Sequence, residues 1–405
     1  MEAAKKQQDQ QMTTMYAILF AISTGHMLND SFQAVVAAMF PILESSMGLT
    51  YAQIGWIAFV VNMTSSVMQP VFGLYADKKP TPFLLPFGMF LSLIGLVAFA
   101  YSPNFYLILL SVLFIGLGSA VFHPEGSRVA YMAAGKKRGL AQSIYQVGGN
   151  AGQSLAPIFT AYIFVPLGQI GAAWFAFAAG LGIIILSNVS KWYKKQIALF
   201  SIPKKQQSKT TEKNPMNRKV KVALILLIFL VFARSWYSAG IGNFYQFYLI
   251  GDYGLSIKQA QLYVFIYMIA GVIGTLFGGS LGDRFGRRNI IFLSLFGAAP
   301  LTLALPHVPL YMVIPLFFLI GVIVMSSFSV TVVYAQELVP NKIGMVSGLI
   351  VGLAFGMGAI GAVLFGTLAD MFSIKFVMIL CSVLPLLGIF TLFLPKDETL
   401  SKLTA

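Results

Sequence analysis

The stretch TGHMLNDSFQ, residues 24–33, sets His26, Asn29 and Asp30 within five positions, with Gln33 just beyond. The flanking runs Met15–Ser23 and Ala34–Leu43 carry no charge. His26 and Asp30 are four residues apart, so on a helix they share a face with Gln33. An imidazole beside a carboxylate is the pairing of a proton carrier. In the middle of a bilayer a charged side chain costs about 2.5–3.5 kcal/mol on insertion scales, so it faces a cavity or a partner. A hydrogen-bonded pair joining two helices is the structural alternative.

The segment AVFHPEGSRVAYM repeats the theme with His123, Glu125 and Arg128, and Pro124 is expected to interrupt the helix between them. Glu125 and Arg128 stand three apart and can pair within the helix. Arg128 either joins a polar cavity or reaches back to the interface. Further on, Gln142, Gln146, Asn150 and Gln153 fall on one helical face among Gly139, Gly148, Gly149 and Gly152, small residues that let helices approach closely. The segment VFARSWYSAGIGNFYQFY holds Arg234 with Trp236, Tyr237, Tyr245 and Tyr248. Arg234 either pairs with an acid, meets an anionic substrate, or snorkels to an interface with the tyrosines as an aromatic belt. Glu337 is expected in a solvated position near a loop.

These residues require a particular scaffold. The chain of 405 residues is 58% hydrophobic and 10% charged, with a mean hydropathy of +0.80. Soluble domains are about 25% charged, so this composition is that of an integral membrane protein. Apolar runs recur at roughly the 20-residue length a spanning helix needs, without the alternation of a β-barrel. The pattern predicts an all-α membrane protein with twelve spans: 15–43, 50–74, 83–101, 104–133, 139–165, 172–190, 220–250, 259–280, 289–305, 309–335, 343–370 and 374–394. The organisation expected is a tail over 1–14, a six-helix half over 15–190, a basic linker over 191–219, a second half over 220–394 and a tail over 395–405. Nothing at the N-terminus reads as a cleavable signal.

With the N-terminus in the cytoplasm, 23 of the 27 Lys and Arg fall on the cytoplasmic side; Lys258 and Lys375 lie opposite, and Arg128 and Arg234 lie within helices. The positive-inside rule then places both termini in the cytoplasm. It also explains the net charge of +14 as topology, which makes nucleic acid a poor partner. Lipid headgroups suit the basic linker better. Cys381 has no partner, and His26, His123 and His307 are scattered, so no metal, cofactor or enzyme constellation is expected.

The two halves resemble each other at an offset near 205: Phe114-Ile115-Gly116 against Leu319-Ile320-Gly321, and Gly139 against Gly344. Asp77 in GLYADKK corresponds to Asp283 in GSLGDRFGRR. Asp30 and Glu125 have no acidic counterparts, being matched by Ser235 and Val330. Residues 278–289 resemble the loop signature of the major facilitator superfamily, with Gly279, Asp283, Arg284, Gly286, Arg287 and Arg288 in the signature positions. The first-half copy keeps Gly73, Asp77 and Lys78 but ends in Pro80-Thr81-Pro82. The resemblance implies a latch between conformations for these residues.

The stretches GHMLNDSFQ, FHPEGSRVAYMAAGKKRGLAQSIYQVGGNAGQSLAP and VYAQELVPNKIGMVSGLIVGLAFGMGAIGA closely resemble bacterial fosmidomycin resistance proteins. That resemblance implies a proton-coupled drug antiporter of the bacterial inner membrane, acting as a monomer and exporting fosmidomycin or related small anions. Asp30, Glu125, His26 and His123 are then the expected proton-coupling groups. Asn29, Arg128, Gln142, Gln146, Asn150, Arg234, Tyr237 and Tyr245 are the expected substrate cavity. Two other readings stay open: a proton symporter importing an organic anion or sugar, and a membrane sensor on a transporter-like fold.

Overall fold

The computed structural model of the chain describes residues 13–135, 138–199, 218–339 and 343–399; the side chains of 77–78, 138–139, 199, 343–349 and 351 are not described. The Asp77 and Lys78 side chains, and most of both tails and the linker, thus fall outside the described residues.

Every described element is helical. The principal helices are α1 (Tyr16–Ala38), α2 (Tyr51–Lys78), α3 (Leu84–Ala100), α4 (Phe105–Ala133), α5 (Arg138–Phe159), α6 (Phe175–Leu199), α7 (Arg218–Gly251), α8 (Ile257–Phe285), α9 (Arg287–Leu295), α10 (Leu310–Met325), α11 (Ile343–Met371) and α12 (Ile374–Val383). Shorter pieces extend several of them. After α1 the chain restarts as Phe40–Met47, with Pro41 in its first turn, where a missing N–H is harmless. α5 runs into a π-helical turn over Thr160–Phe164, just beyond Pro157. α10 breaks at Ser326 and resumes over Ser327–Leu338. One expectation is corrected: Pro124 does not interrupt α4, which is helical throughout Phe105–Ala133. In a spanning helix neighbouring groups re-satisfy the freed carbonyl, so proline is tolerated there.

Among the described residues nine helical segments are long and apolar enough to cross a membrane. α3 misses on length, with 17 residues. α1 and α5 are long enough and carry few charges, so they miss on hydropathy. They are the helices that bear His26, Asn29, Asp30 and the glutamine stripe. Large apolar side chains cover the outside, Phe20, Leu74, Phe177 and Leu181 among them, while His26, Asn29, Asp30, Glu125, Arg234, Gln246 and Gln261 are buried. This is an inside-out distribution relative to a soluble protein, as lipid requires. Tyr101, Tyr106, Trp174 and Tyr311, near helix ends, are exposed in the manner of an interfacial aromatic belt.

The chain forms two compact units. The first comprises Met1–Val36, Val67–Ala156 and Gln169–Lys213; the second comprises Ala37–Ser66, Pro157–Gly168 and Asn214–Ala405. The second unit therefore takes in the end of α1 and the beginning of α2. Three polar contacts hold those pieces. Asp370 at the end of α11 accepts from the Tyr51 and Ala52 N–H groups at 2.8 and 2.7 Å, capping the first turn of α2 with a full negative charge. Gln246 Nε2 donates to the Ala37 carbonyl at 3.0 Å. Gln261 Nε2 donates to the Ala38 carbonyl at 3.0 Å and to Gln246 Oε1 at 2.6 Å.

The α2–α11 contact is backbone against backbone. A Cβ at Gly55 would strike the Ala362 carbonyl, and one at Gly366 the Tyr51 carbonyl. Gly180 in α6, by contrast, faces open space. Gly366→Ala should therefore lower the midpoint of thermal unfolding in detergent, whereas Gly180→Ala, which improves helix propensity by about 1 kcal/mol, should leave it unchanged or raise it. Equal responses of the two variants would show that α2 and α11 do not touch at this point.

Candidate functional site: a histidine–aspartate cluster

Asp30 sits at the centre of a hydrogen-bonded cluster inside the first unit, 5% exposed. Its Oδ1 accepts from Asn29 Nδ2 at 3.1 Å, and its Oδ2 from Gln153 Nε2 at 2.8 Å. His26 Nε2 lies 3.5 Å from Oδ2, and His123 Nε2 lies 3.5 Å from Oδ1. The network continues outward: Asn29 Nδ2 also reaches Ser119 Oγ at 3.3 Å, and Ser119 donates to Gln33 Oε1 at 2.9 Å. Three helices thus meet on one carboxylate: α1 gives Asp30, His26, Asn29 and Gln33; α4 gives His123 and Ser119; α5 gives Gln153.

Local structure explains how they meet. His26 stacks on the Tyr145 ring at 4.1 Å and meets His123 edge-on at 5.1 Å. Its Nδ1 lies 2.8 Å from the Tyr145 carbonyl. A carbonyl only accepts, so Nδ1 carries a hydrogen and Nε2 is the nitrogen that faces Asp30. Space for this comes from α5. A Cβ at Gly149 would overlap the His26 imidazole and Asp30 Oδ2, and one at Gly148 or Gly152 would strike the Ser23 or Met27 carbonyl of α1. The glycines of α5 are the mould into which the α1 cluster fits.

The tautomer has a chemical consequence. A neutral His26 would turn the lone pair of Nε2 toward a carboxylate, two acceptors facing each other. One added proton on Nε2, or shared from His123, converts that repulsion into a charge-assisted hydrogen bond. The cluster can hold and release a proton without moving any heavy atom far. It also corrects the sequence expectation that the histidines are scattered and offer no metal constellation: the His26, Asp30 and His123 donor atoms all lie within 4.8 Å of one another, a set that a metal ion could share.

The other expected site residues divide into separate groups. Glu125 Oε2 accepts from Tyr193 Oη of α6 at 2.8 Å, and Arg128 also engages Tyr193. Arg128 Nη1 donates to the Ala76 carbonyl of α2 at 2.6 Å. Gln142 is exposed, while Gln146 and Asn150 are half-buried. Arg234 is buried in the second unit, as are Tyr237 and Tyr245, whose hydroxyls have no hydrogen-bond partner among the described residues. Sequence reasoning passed over Tyr145, Ser119 and Tyr193. The first acts through its carbonyl and ring, and the other two are brought in from distant helices, so no local spacing announces them.

The loop residues also find specific partners. Arg287 bridges Asp283 at 3.3 Å and Glu337 at 2.7 Å, so Glu337 is paired rather than merely solvated. Arg288 donates to the Thr391 and Leu392 carbonyls at 3.2 and 2.6 Å. Gly286 turns the chain with φ +88°, and the Arg284 guanidinium lies 5.2 Å from the Phe285 ring centroid. A Cβ added at Gly279 or at Gly73 would make only ordinary van der Waals contact, with Ser329 or Pro124, so neither glycine is needed for a close approach there. Asp397, outside the signature, accepts from the Arg287 and Arg288 N–H groups at 2.5 and 3.3 Å and so caps α9.

The helical architecture and these sites can be compared with known proteins. The Major Facilitator Superfamily profile matches residues 22–351 and 224–405. The chain is a major facilitator superfamily transporter. It is 56% identical over 388 residues to the MFS-type transporter YfnC of Bacillus subtilis, covering 96% of this chain and 95% of that protein. It is 47% identical over 386 residues to the fosmidomycin resistance protein of Escherichia coli, covering 95% and 94%. Among solved structures it resembles a bacterial homolog of the human lysosomal transporter Spinster, in an inward-facing and occupied conformation, with a TM-score of 0.73 at 15% identity and coverage of 96% and 95%. The nucleoside transporter NupG gives a TM-score of 0.71 at 14% identity, with coverage of 94% and 99%. At such identities these two structures speak for the fold alone. The transporter is thus a multi-pass membrane protein that moves a small molecule and not an enzyme.

The Asp397 cap yields a prediction for the transporter's loop. Loss of an N-terminal cap costs about 0.5–2 kcal/mol. Asp397→Ala should therefore speed hydrogen exchange at the Arg287 and Arg288 amides by about tenfold, read by mass spectrometry in detergent. Wild-type exchange rates would show that the α9 turn is held by other groups.

Proposed function

We propose that this transporter exports fosmidomycin or a related small anion in exchange for protons, across the cytoplasmic membrane of a bacterium. The observation that carries the reading is Asp30, buried between two imidazoles on a helix that crosses hydrocarbon. A carboxylate placed there is costly, and a function that uses its charge accounts for it better than a purely structural link between helices does. Cargo identity is supported by the similarity to the Escherichia coli fosmidomycin resistance protein.

In this mechanism His26, His123 and Asp30 take up one proton from outside and release it inside as two six-helix halves alternate the access of the cluster. Asn29 and Gln153 hold the carboxylate in place whether or not the proton is present, because both donate to it. Glu125, Arg128 and Tyr193 form a second polar group that belongs to the same route. Within the first unit Arg128, Gln142, Gln146 and Asn150 are the cargo-contacting residues of this reading, and within the second they are Arg234, Tyr237 and Tyr245. The Asp283–Arg287–Glu337 chain and the first-half Asp77 loop latch alternate states on the cytoplasmic side. In this reading both termini are cytoplasmic, which the distribution of Lys and Arg supports, and the unit of function is a monomer.

The test is a liposome experiment. Protein is reconstituted in vesicles with an acidic interior, fosmidomycin is added outside, and internal pH is followed. Exchange predicts drug-triggered internal alkalinisation that Asp30→Asn abolishes, with reconstitution and size-exclusion behaviour unchanged. Drug-triggered acidification under an opposite gradient would mean symport, and no drug-dependent proton movement by folded wild type would remove the cargo or the coupling.

A further inference from the structure

Arg234 on α7 is 4% exposed. The described residues give its guanidinium one hydrogen bond, from Nη1 to Ser327 Oγ at 3.2 Å, and a face-on neighbour in Phe328, whose ring centroid lies 5.2 Å from Cζ. No carboxylate among the described residues lies within ion-pair distance of it; the described pairs join Asp30, Asp283, Glu337 and Asp252 to other bases. A ring face compensates only part of the lost hydration of a buried cation, so an uncompensated positive charge remains.

The same guanidinium borders a small cavity, lined also by Ser327, Thr331 and the aliphatic side chains of Leu230, Ile291 and Leu295. All of these residues belong to the second unit, so the chamber is built within one body. It has room for a single water-sized occupant. The chemistry of the walls decides what that occupant is. A water needs acceptors for its two hydrogens as well as donors for its lone pairs. Here the Thr331 hydroxyl donates to the Ser327 carbonyl at 2.6 Å, so the Thr331 and Ser327 oxygens are the acceptors on a wall that is otherwise aliphatic. Donors are plentiful: the guanidinium has five N–H groups in all, and the Ser327 hydroxyl spends its hydrogen on a long 3.4 Å contact with the Val324 carbonyl. A buried guanidinium with uncommitted N–H groups, and with no carboxylate among the described residues in ion-pair distance, suits an anion better than a neutral water.

We propose that Arg234 and Ser327, with Thr331 closing the wall, bind one compact anion, either a halide or a single anionic oxygen of an organic acid. That occupant has two sources. Free chloride is one, as a compact ion, and the anionic end of a phosphonate cargo, inserting one oxygen, is the other. The cargo source rests on the export reading above; the chloride source does not.

The experiment uses purified full-length protein in detergent, exchanged into gluconate, which is too large for the chamber. Binding of radiolabelled chloride is measured by equilibrium dialysis for wild type, Arg234→Met, Arg234→Lys and Ser327→Ala, each checked by size-exclusion elution. One saturable chloride site is expected in wild type, weakened tenfold or more in Arg234→Met and a few-fold in Ser327→Ala. Arg234→Lys keeps the charge but loses the fork, so intermediate binding is expected; it stands in if Arg234→Met does not fold. Methylphosphonate is then added as competitor. Displacement assigns the site to cargo as well as chloride, and no displacement assigns it to the free ion. Absence of saturable binding of either probe to folded wild type, or equal binding by wild type and all three variants, overturns the proposal. No proton gradient or drug enters the measurement, so failure of antiport in vesicles leaves this result independent.

Discussion

Hydrocarbon offers nothing to a polar side chain, so each one carried on a spanning helix must find its partners inside the protein. That constraint orders most of what is distinctive here. Asp30 is ringed by donors from three helices. Glu125 takes the Tyr193 hydroxyl, and Gln246 and Gln261 reach backbone carbonyls at the end of α1. A soluble protein can leave such groups to water. In this chain the buried charged residues and amides named above meet that demand with specific partners, whereas the Tyr237 and Tyr245 hydroxyls have none among the described residues.

Close helix approach is the second half of the same bargain. Lipid tails are as apolar as the side chains they touch, so association of spanning helices relies on packing and polar contacts rather than on escape from water. Gly148, Gly149 and Gly152 bring α5 onto α1 along the face that carries His26 and Asp30. The glycine run and the histidine–aspartate cluster are therefore one feature seen from two helices. The polar content that makes the cluster possible also leaves α1 and α5 less apolar than the nine segments that, among the described residues, are apolar enough to span.

Charge is unevenly divided between the two units. The first unit holds two acids, Asp30 and Glu125, in buried hydrogen-bonded groups, whereas the second buries a guanidinium, Arg234, beside hydroxyls and an aromatic ring. The internal repeat makes this meaningful: Asp30 is matched by Ser235 and Glu125 by Val330. Duplication for packing alone gives no reason for such asymmetry. The proposed division into a proton-handling half and an anion-handling half would.

Composition and periodicity by themselves determined that the chain is a helical membrane protein, because hydropathy and length are local properties that hydrocarbon reads directly. The same local logic put His26, Asp30 and Gln33 on one face and marked Arg234 and Glu125 as exceptional. Only the tertiary structure decided which of these meet. His123 reaches Asp30 whereas Glu125 takes the Tyr193 hydroxyl, although the two stand two residues apart on α4; helix rotation turns them to different neighbours. Tyr145 contributes a carbonyl, a group every residue has, so no sequence pattern could single it out. Asp397 caps α9 from the far end of the chain. Spacing fixes which residues share a face, but which faces meet depends on the packing of whole helices, and that information is spread over the entire chain.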